Sequence, residues 1–194
     1  MFKKNFKRFK KQTPREEYAI ILDFLPNGYP LSRIPSFKRK PVAQAIGTEH
    51  FTLLELSPKK DVILKIGEKV YIGREERPKI EVILGRLYFN KLTSTAKAEL
   101  EHAITNIIEE NEERFVNFFN KAGPLSMRMH SIELIPGIGK KVMWEIIEKR
   151  EEKPFESFEE MYEKIEHLPD LKKAIAKRII SELEGNEKHK LFVK

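Results

Sequence analysis

The sequence predicts an α+β protein of two domains, a small five-stranded β-barrel followed by an all-helical unit, and three observations carry that reading. Up to Thr93 the apolar residues alternate in short runs separated by turn residues, whereas beyond it they recur every three to four residues. Within the second half, the packing positions of residues 132–147 come back 33 places later, at 165–180. A chain of 194 residues is long enough for two cores of about 80 to 110 residues each. The expected organisation is a basic tail over 1–12, the barrel over 13–93, a connecting helix over 94–124, a tandem helical unit over 125–185 and a C-terminal tail over 186–194.

Five runs read as strands: Glu17–Leu25, Pro41–Gly47, Phe51–Leu56, Lys69–Gly73 and Ile80–Phe89. Pro26-Asn27-Gly28, Pro58 to Asp61, Gly67-Glu68 and Arg77-Pro78 are the turns between them. In the last run Ile80, Val82 and Leu84 share one parity and Leu87 and Phe89 the other. A bulge at Gly85 would let a bent strand keep one face buried. Five short strands, one of them bent, fit an OB-like barrel; an SH3-like barrel fits nearly as well.

After Thr93, Ala96, Leu100, Ala103, Ile107, Phe115 and Phe118 share one helical face, with a break expected within Glu109–Glu113 and a stop at Gly123-Pro124. This helix reads as a packing spacer whose acidic run is solvated surface, with an acidic docking surface as the other reading.

The most informative segment is Ile132-Glu133-Leu134-Ile135-Pro136-Gly137-Ile138-Gly139-Lys140-Lys141-Val142-Met143-Trp144-Glu145-Ile146, a helical run, a Pro-Gly-x-Gly turn and a second helical run. A Walker loop is excluded by Leu134, Lys141 and the lack of a preceding strand, and a dinucleotide fingerprint by Val142 and the lack of a βαβ pattern. The segment resembles the helix-hairpin-helix elements that bind nucleic acid, through Ile132, Ile135, Pro136, Gly137, Ile138, Gly139 and Ile146, with Met143 where that family usually has Ala. Glycines let the turn backbone approach a ligand closely. Amides of the turn and of the helix start then converge on one phosphate, and Lys140 and Lys141 add charge there. Such a device holds the backbone and reads no bases. A plain helical turn that merely needs glycine is the competing reading.

Shifted by 33 residues, Ile132, Ile135, Pro136, Ile138, Ile146 and Ile147 fall on Ile165, Leu168, Pro169, Leu171, Ile179 and Ile180, and Met143 falls on Ala176. The two hairpin glycines become Asp170 and Lys172, so the second copy keeps the packing positions and loses those for close approach. Lys172, Lys173 and Lys177, with Arg178 beside them, leave it a weaker phosphate contact. Ser157 and Glu160 form a capping box ahead of it.

Of the net charge of +7, the tail residues Lys3, Lys4, Lys7, Arg8, Lys10 and Lys11 supply six, so the excess describes an arm more than the folded part. With Phe2, Phe6 and Phe9 interleaved, the arm reads as a nucleic-acid-binding extension, or else as a solubilising one. On the barrel, Tyr71 is a candidate base-stacking residue, with Phe51 and Tyr88 weaker ones, and Arg33, Lys38, Arg39 and Lys40 form a basic loop.

Catalysis is not expected: the five histidines are scattered without metal-ligand spacing, and no Asp lies between Gly139 and Asp170 to serve as a glycosylase base. The absence of cysteine excludes disulfides and thiolate metal sites and suits a reducing cytoplasm. No apolar run approaches the length of a membrane span. The abundance of Lys and Glu leans towards a thermophile. No metal and no cofactor is expected.

Over nearly its whole length the chain resembles an uncharacterised archaeal family of predicted RNA-binding proteins with an N-terminal OB or S1-like barrel and a C-terminal helix-hairpin-helix pair. Stretches carrying the likeness are Glu17 to Pro26, Phe51 to Leu56, Val70 to Gly73, Leu92 to Lys97, Leu134 to Lys141 and Pro154 to Glu159. The resemblance implies binding to structured RNA in preference to DNA, in work linked to the ribosome or transcription, with a ribosomal or transcription-associated protein as partner. The hairpin alone suits duplex DNA as well, and an adaptor that docks a protein is the alternative from another class.

Overall fold

A computed structural model describes residues 15–30, 35 and 38–194. The tail cations Lys3 to Lys11 and the loop residue Arg33 lie outside the described residues. The protein is α+β. Strands β1 (Tyr18–Leu25), β2 (Val42–Gly47), β3 (Leu53–Pro58), β4 (Lys69–Tyr71) and β5 (Ile80–Arg86) form one antiparallel sheet in the order β4-β1-β2-β3-β5. All five start within two residues of where alternation places them. In β5, Glu55 pairs with Gly85 and Leu56 with Ile83, which leaves Leu84 as the extra residue of a bulge beside the expected glycine. The same ladder shifts register again between Ser57 and Pro58, and the β1–β2 ladder shifts between Ile21 and Asp23.

The sheet curls but does not close. Strands β4 and β5 are its two edges and share no ladder; an ion pair from Lys79 to Glu68 spans the gap at their starts. The expected closed barrel is therefore a half-barrel. Its concave side holds Ala19, Ile21, Ala43, Ala45, Leu56, Val70 and Ile80. Residues of the other parity, Ile20, Leu22, Ile46 and Leu53, are buried too, because helix α1 (Ser94–Glu110) covers the convex side of β1 and β2. Buried Gln44 and Asp23 fix that helix to the sheet. Gln44 Oε1 accepts the Thr93 N–H (2.8 Å), the Thr93 hydroxyl donates to Asp23 Oδ2 (2.6 Å), and Thr93 Oγ1 caps α1 by accepting from the Ala96 N–H (3.0 Å).

Helix α1 gives way to α2 (Glu112–Lys121) at Asn111, inside the acidic run where a break was expected. Between α2 and the Pro-Gly-Ile-Gly turn the chain departs from the expected helical run. A two-stranded hairpin, β6 (Pro124–Ser126) and β7 (Met129–His130), leads into a four-residue 3-10 turn, Ser131–Leu134, and no α-helix immediately precedes the Pro-Gly-Ile-Gly turn. After the chain reverses at Met127-Arg128 and β7 pairs back onto β6 through His130, only residues 131–135 remain before Pro136, and they take the 3-10 turn. Then come α3 (Lys140–Glu152), α4 (Phe158–Lys164) and α5 (Leu171–Glu184). Ser157 caps α4 as expected, but Glu160 bonds the Glu156 N–H (2.6 Å) instead of closing the box.

The repeated apolar positions do pack together: Ile132, Ile135, Ile138, Ile146, Ile165, Leu171 and Ile179 join a cluster that runs without interruption through α1 to the convex side of the sheet. The last residues enter the same cluster. Phe192 packs against Phe115 and Phe118 with ring centroids 5.7 and 5.0 Å apart, and the Lys194 N–H reaches the His50 carbonyl (3.3 Å).

Candidate nucleic-acid interface

The Pro-Gly-Ile-Gly turn is exposed except for Ile138, which anchors it in the core. Its two glycines do different work. Gly137 has φ +88°, and a Cβ there would stand 3.1 Å from Pro169, so it lets the two turns pack against each other. Gly139 is the N-cap of α3 in extended backbone (φ −88°, ψ 175°), with nothing within 4 Å of where a Cβ would stand. No side chain caps α3, and Lys140 and Lys141 make no ion pair among the described residues. The end of this helix therefore presents free amides, the positive end of its dipole and two unneutralised cations to solvent.

The second turn is built differently. Helix α5 starts at Leu171, two residues earlier than the 33-residue shift would place it, and Asp170 is its N-cap. Asp170 accepts the Lys173 N–H (3.1 Å), and the Tyr162 hydroxyl accepts the Leu171 N–H (2.8 Å). Its own helix end holds the Asp170 carboxyl below the usual carboxylate range, chiefly through that Lys173 amide. Lys173 pairs with Asp170 (3.4 Å) and Lys172 with Glu109 (3.0 Å), which leaves Lys177 exposed and, among the described residues, without an ion pair. Arg178 is buried and serves the core. A carboxylate already fills the place a phosphate would take, so the arrangement opens one turn and closes the other.

The entry to the first turn is held by His130, whose Nδ1 accepts the Ile132 N–H (3.2 Å) while its own backbone N–H donates to Glu133 (2.9 Å). Burial first, then the nearby Arg150 cation, hold His130 below the ordinary histidine value, with Glu133 pulling the other way. The unfolded chain thus takes up the proton before the folded one does, and stability falls with pH from about 6.5 downward. Between about pH 7 and pH 5 the melting temperature of the parent should fall more than that of His130→Asn, whose amide caps without titrating. Equal falls would show that His130 is not the group responsible.

The barrel candidates are placed less favourably. Tyr71 is half-buried, its ring edge-on to Tyr18 (5.4 Å) and folded over Gly73, its hydroxyl accepting the Glu75 N–H (3.3 Å). Phe51 is fully buried against Phe115 and under the Arg114 guanidinium, so no base can reach it. Lys38 and Lys40 are exposed and Arg39 half-buried, in the loop before β2. The unclosed edge of the sheet opens into a cleft of about 870 Å³ that sequence reading missed, lined by Arg15, Arg74, Arg77 and Arg86 and by as many glutamates. One of them, Glu16, is spent on the Glu49, His50 and Thr52 N–H groups. A charge-balanced cleft offers little attraction to a phosphate chain.

Sequence reading also missed Trp144, 64% exposed on α3 one turn beyond Lys140. The signal was present: Val142, Met143 and Ile146 carry the apolar stripe, and Trp144 falls off it. Among the described residues no group of His, Asp or Glu could hold a metal ion, and no helix is long and apolar enough to cross a membrane.

Residues 15–194 match the family model described as protein of unknown function (DUF655). The chain is 43% identical over 189 residues to uncharacterized protein MJ0038 of Methanocaldococcus jannaschii, spanning 95% of this chain and 84% of that one. It is also similar to the crystal structure of Af1531 from Archaeoglobus fulgidus, with 43% identity, a TM-score of 0.85, and coverage of 92% of this chain and 100% of the other.

Proposed function

We propose that this chain, which belongs to the DUF655 family, is a non-catalytic nucleic-acid-binding protein that holds a backbone phosphate at Gly139, Lys140 and Lys141. The contrast between the two turns carries the reading. Lysines at the first helix end are left unpaired and its amides uncapped, while the corresponding end of the second is neutralised by Asp170. The half-barrel has the strand order of an OB-type barrel opened between its fourth and fifth strands, and such barrels commonly bind oligonucleotides. The preference for structured RNA over DNA rests on the family resemblance drawn from the sequence, as does the helix-hairpin-helix assignment.

Gly139→Val tests it. The backbone already suits a β-branched residue and the space is open, so the fold should survive while the added methyls hold a phosphate away from the amides. Affinity for a structured RNA, followed by fluorescence anisotropy at about 150 mM salt, should fall about tenfold, the equivalent of 1.4 kcal/mol. Unchanged affinity with an unchanged melting curve would remove the phosphate role. Gly137 does not serve this purpose, since its positive φ and its contact with Pro169 would mix folding with binding.

A second reading, an adaptor that docks a protein, is favoured by the tip of the β6–β7 hairpin, where Leu125 and Met127 are exposed. Binding of RNA at full strength by Leu125→Ser/Met127→Ser would leave that tip free for such a role.

A further inference from the structure

Trp144 is the only tryptophan of the chain, and it is 64% exposed with no ring, cation or hydrogen-bond contact among the described residues. The other half of its helix packs normally, with Val142, Met143 and Ile146 buried. On an α-helix, positions three and four apart are surface neighbours, about 5 to 6 Å between Cβ atoms. Lys140 and Lys141, both exposed, are four and three residues before Trp144, so the indole and the two cations share one face. Glu148, also exposed, comes four residues after Trp144 and closes that face with a negative charge.

A flat apolar ring presented to water beside unpaired cations has the composition of a nucleobase platform: the cations hold the phosphates and the ring takes the base. In a duplex both faces of every internal base are covered by its neighbours, so an unpaired nucleotide is needed to fill the platform. Resting on the nucleic-acid reading above, the geometry points to Trp144 as a stacking platform for a single unpaired nucleotide whose phosphate lies at Lys140 and Lys141. The chain would thereby select single-stranded or looped RNA over continuous duplex. Glu148 limits the stack to one base, because a strand continued along the helix would bring its next phosphate to a carboxylate. Stacking has no hydrogen-bond code, so the preference is for unpaired bases of any identity.

The chain carries its own reporter, since all tryptophan emission comes from Trp144. The experiment titrates the full chain with a single-stranded RNA of about 12 nucleotides and with the matching duplex, at about 150 mM salt, reading anisotropy of labelled RNA and Trp144 fluorescence in parallel. Single-stranded RNA should quench and shift the emission, and the duplex should leave it nearly unchanged. Trp144→Ala should weaken single-strand binding about five- to hundredfold, and Trp144→Phe should restore most of it. Duplex affinity and the melting curve should stay as in the parent, because the indole is largely exposed and lies outside the packed stripe of its helix. If both RNAs bind while the emission is unmoved, or if Trp144→Ala binds single strands like the parent, the platform is overturned and the phosphate reading stands. If neither RNA binds, the RNA reading falls and the platform falls with it.

Discussion

Glu182→Ala should unfold this protein at a temperature roughly 6 to 20 °C below the parent, the effect of losing about 3 to 5 kcal/mol from a chain of this size. The glutamate is 1% exposed, and its carboxylate accepts the N–H groups of Leu191 (2.7 Å), Phe192 and Val193 (3.0 Å each) and the Arg178 Nε–H (3.0 Å). Removing it orphans three amides of the C-terminal segment and strips a buried guanidinium of one of its two carboxylates, the other being Glu187 (2.8 Å). A buried donor without a partner carries its full desolvation cost. The damage would also spread, because Arg178 donates to the Leu134 carbonyl at the first turn and Phe192 packs on α2. Thermal denaturation followed by circular dichroism checks this. A shift of less than about 2 °C would mean that the terminal segment contributes little to the folded core.

That segment shows where sequence reading reaches its limit. Leu191-Phe192-Val193 is an apolar triplet in an otherwise charged terminus, yet nothing local says that it folds back. Its acceptor is a glutamate whose burial becomes evident only once α5 is seen to be covered. Barrel closure is equally non-local: alternation locates β4 and β5, but whether two edges meet depends on strand length and curl, and β4 has three residues. The bulge beside Gly85 and the break at Asn111 were legible because each is a change of period within a few residues. Convex-side burial of Ile20, Leu22 and Ile46 was legible only as unusually continuous hydrophobicity in β1 and β2, and it needed α1 to explain it. At the candidate site, residue types located the first turn and the loss of glycine weakened the second. That Asp170 caps α5 and neutralises Lys173 came from a two-residue offset in the helix start that an alignment by packing positions conceals.

The same offset supplies the sharpest functional contrast. Lys140→Ala/Lys141→Ala should lower affinity for nucleic acid about five- to thirtyfold at physiological salt, if each exposed cation contributes up to about 1 kcal/mol to a phosphate. Affinity plotted against salt on logarithmic axes should lose about 1.4 to 1.8 from its slope, two phosphate contacts at about 0.7 to 0.9 each. Lys172→Ala/Lys173→Ala removes the same formal charge from the neighbouring turn but should leave the slope nearly unchanged. Those lysines neutralise Glu109 and Asp170 instead of a ligand, and an anion approaching α5 meets the Asp170 carboxylate already seated on its amides. Net charge and mass change equally in the two variants, so a general electrostatic attraction predicts equal losses and a phosphate held at one turn predicts unequal ones. Equal slopes would reduce the first turn to a packing element and assign the salt dependence to the whole surface, the basic tail included.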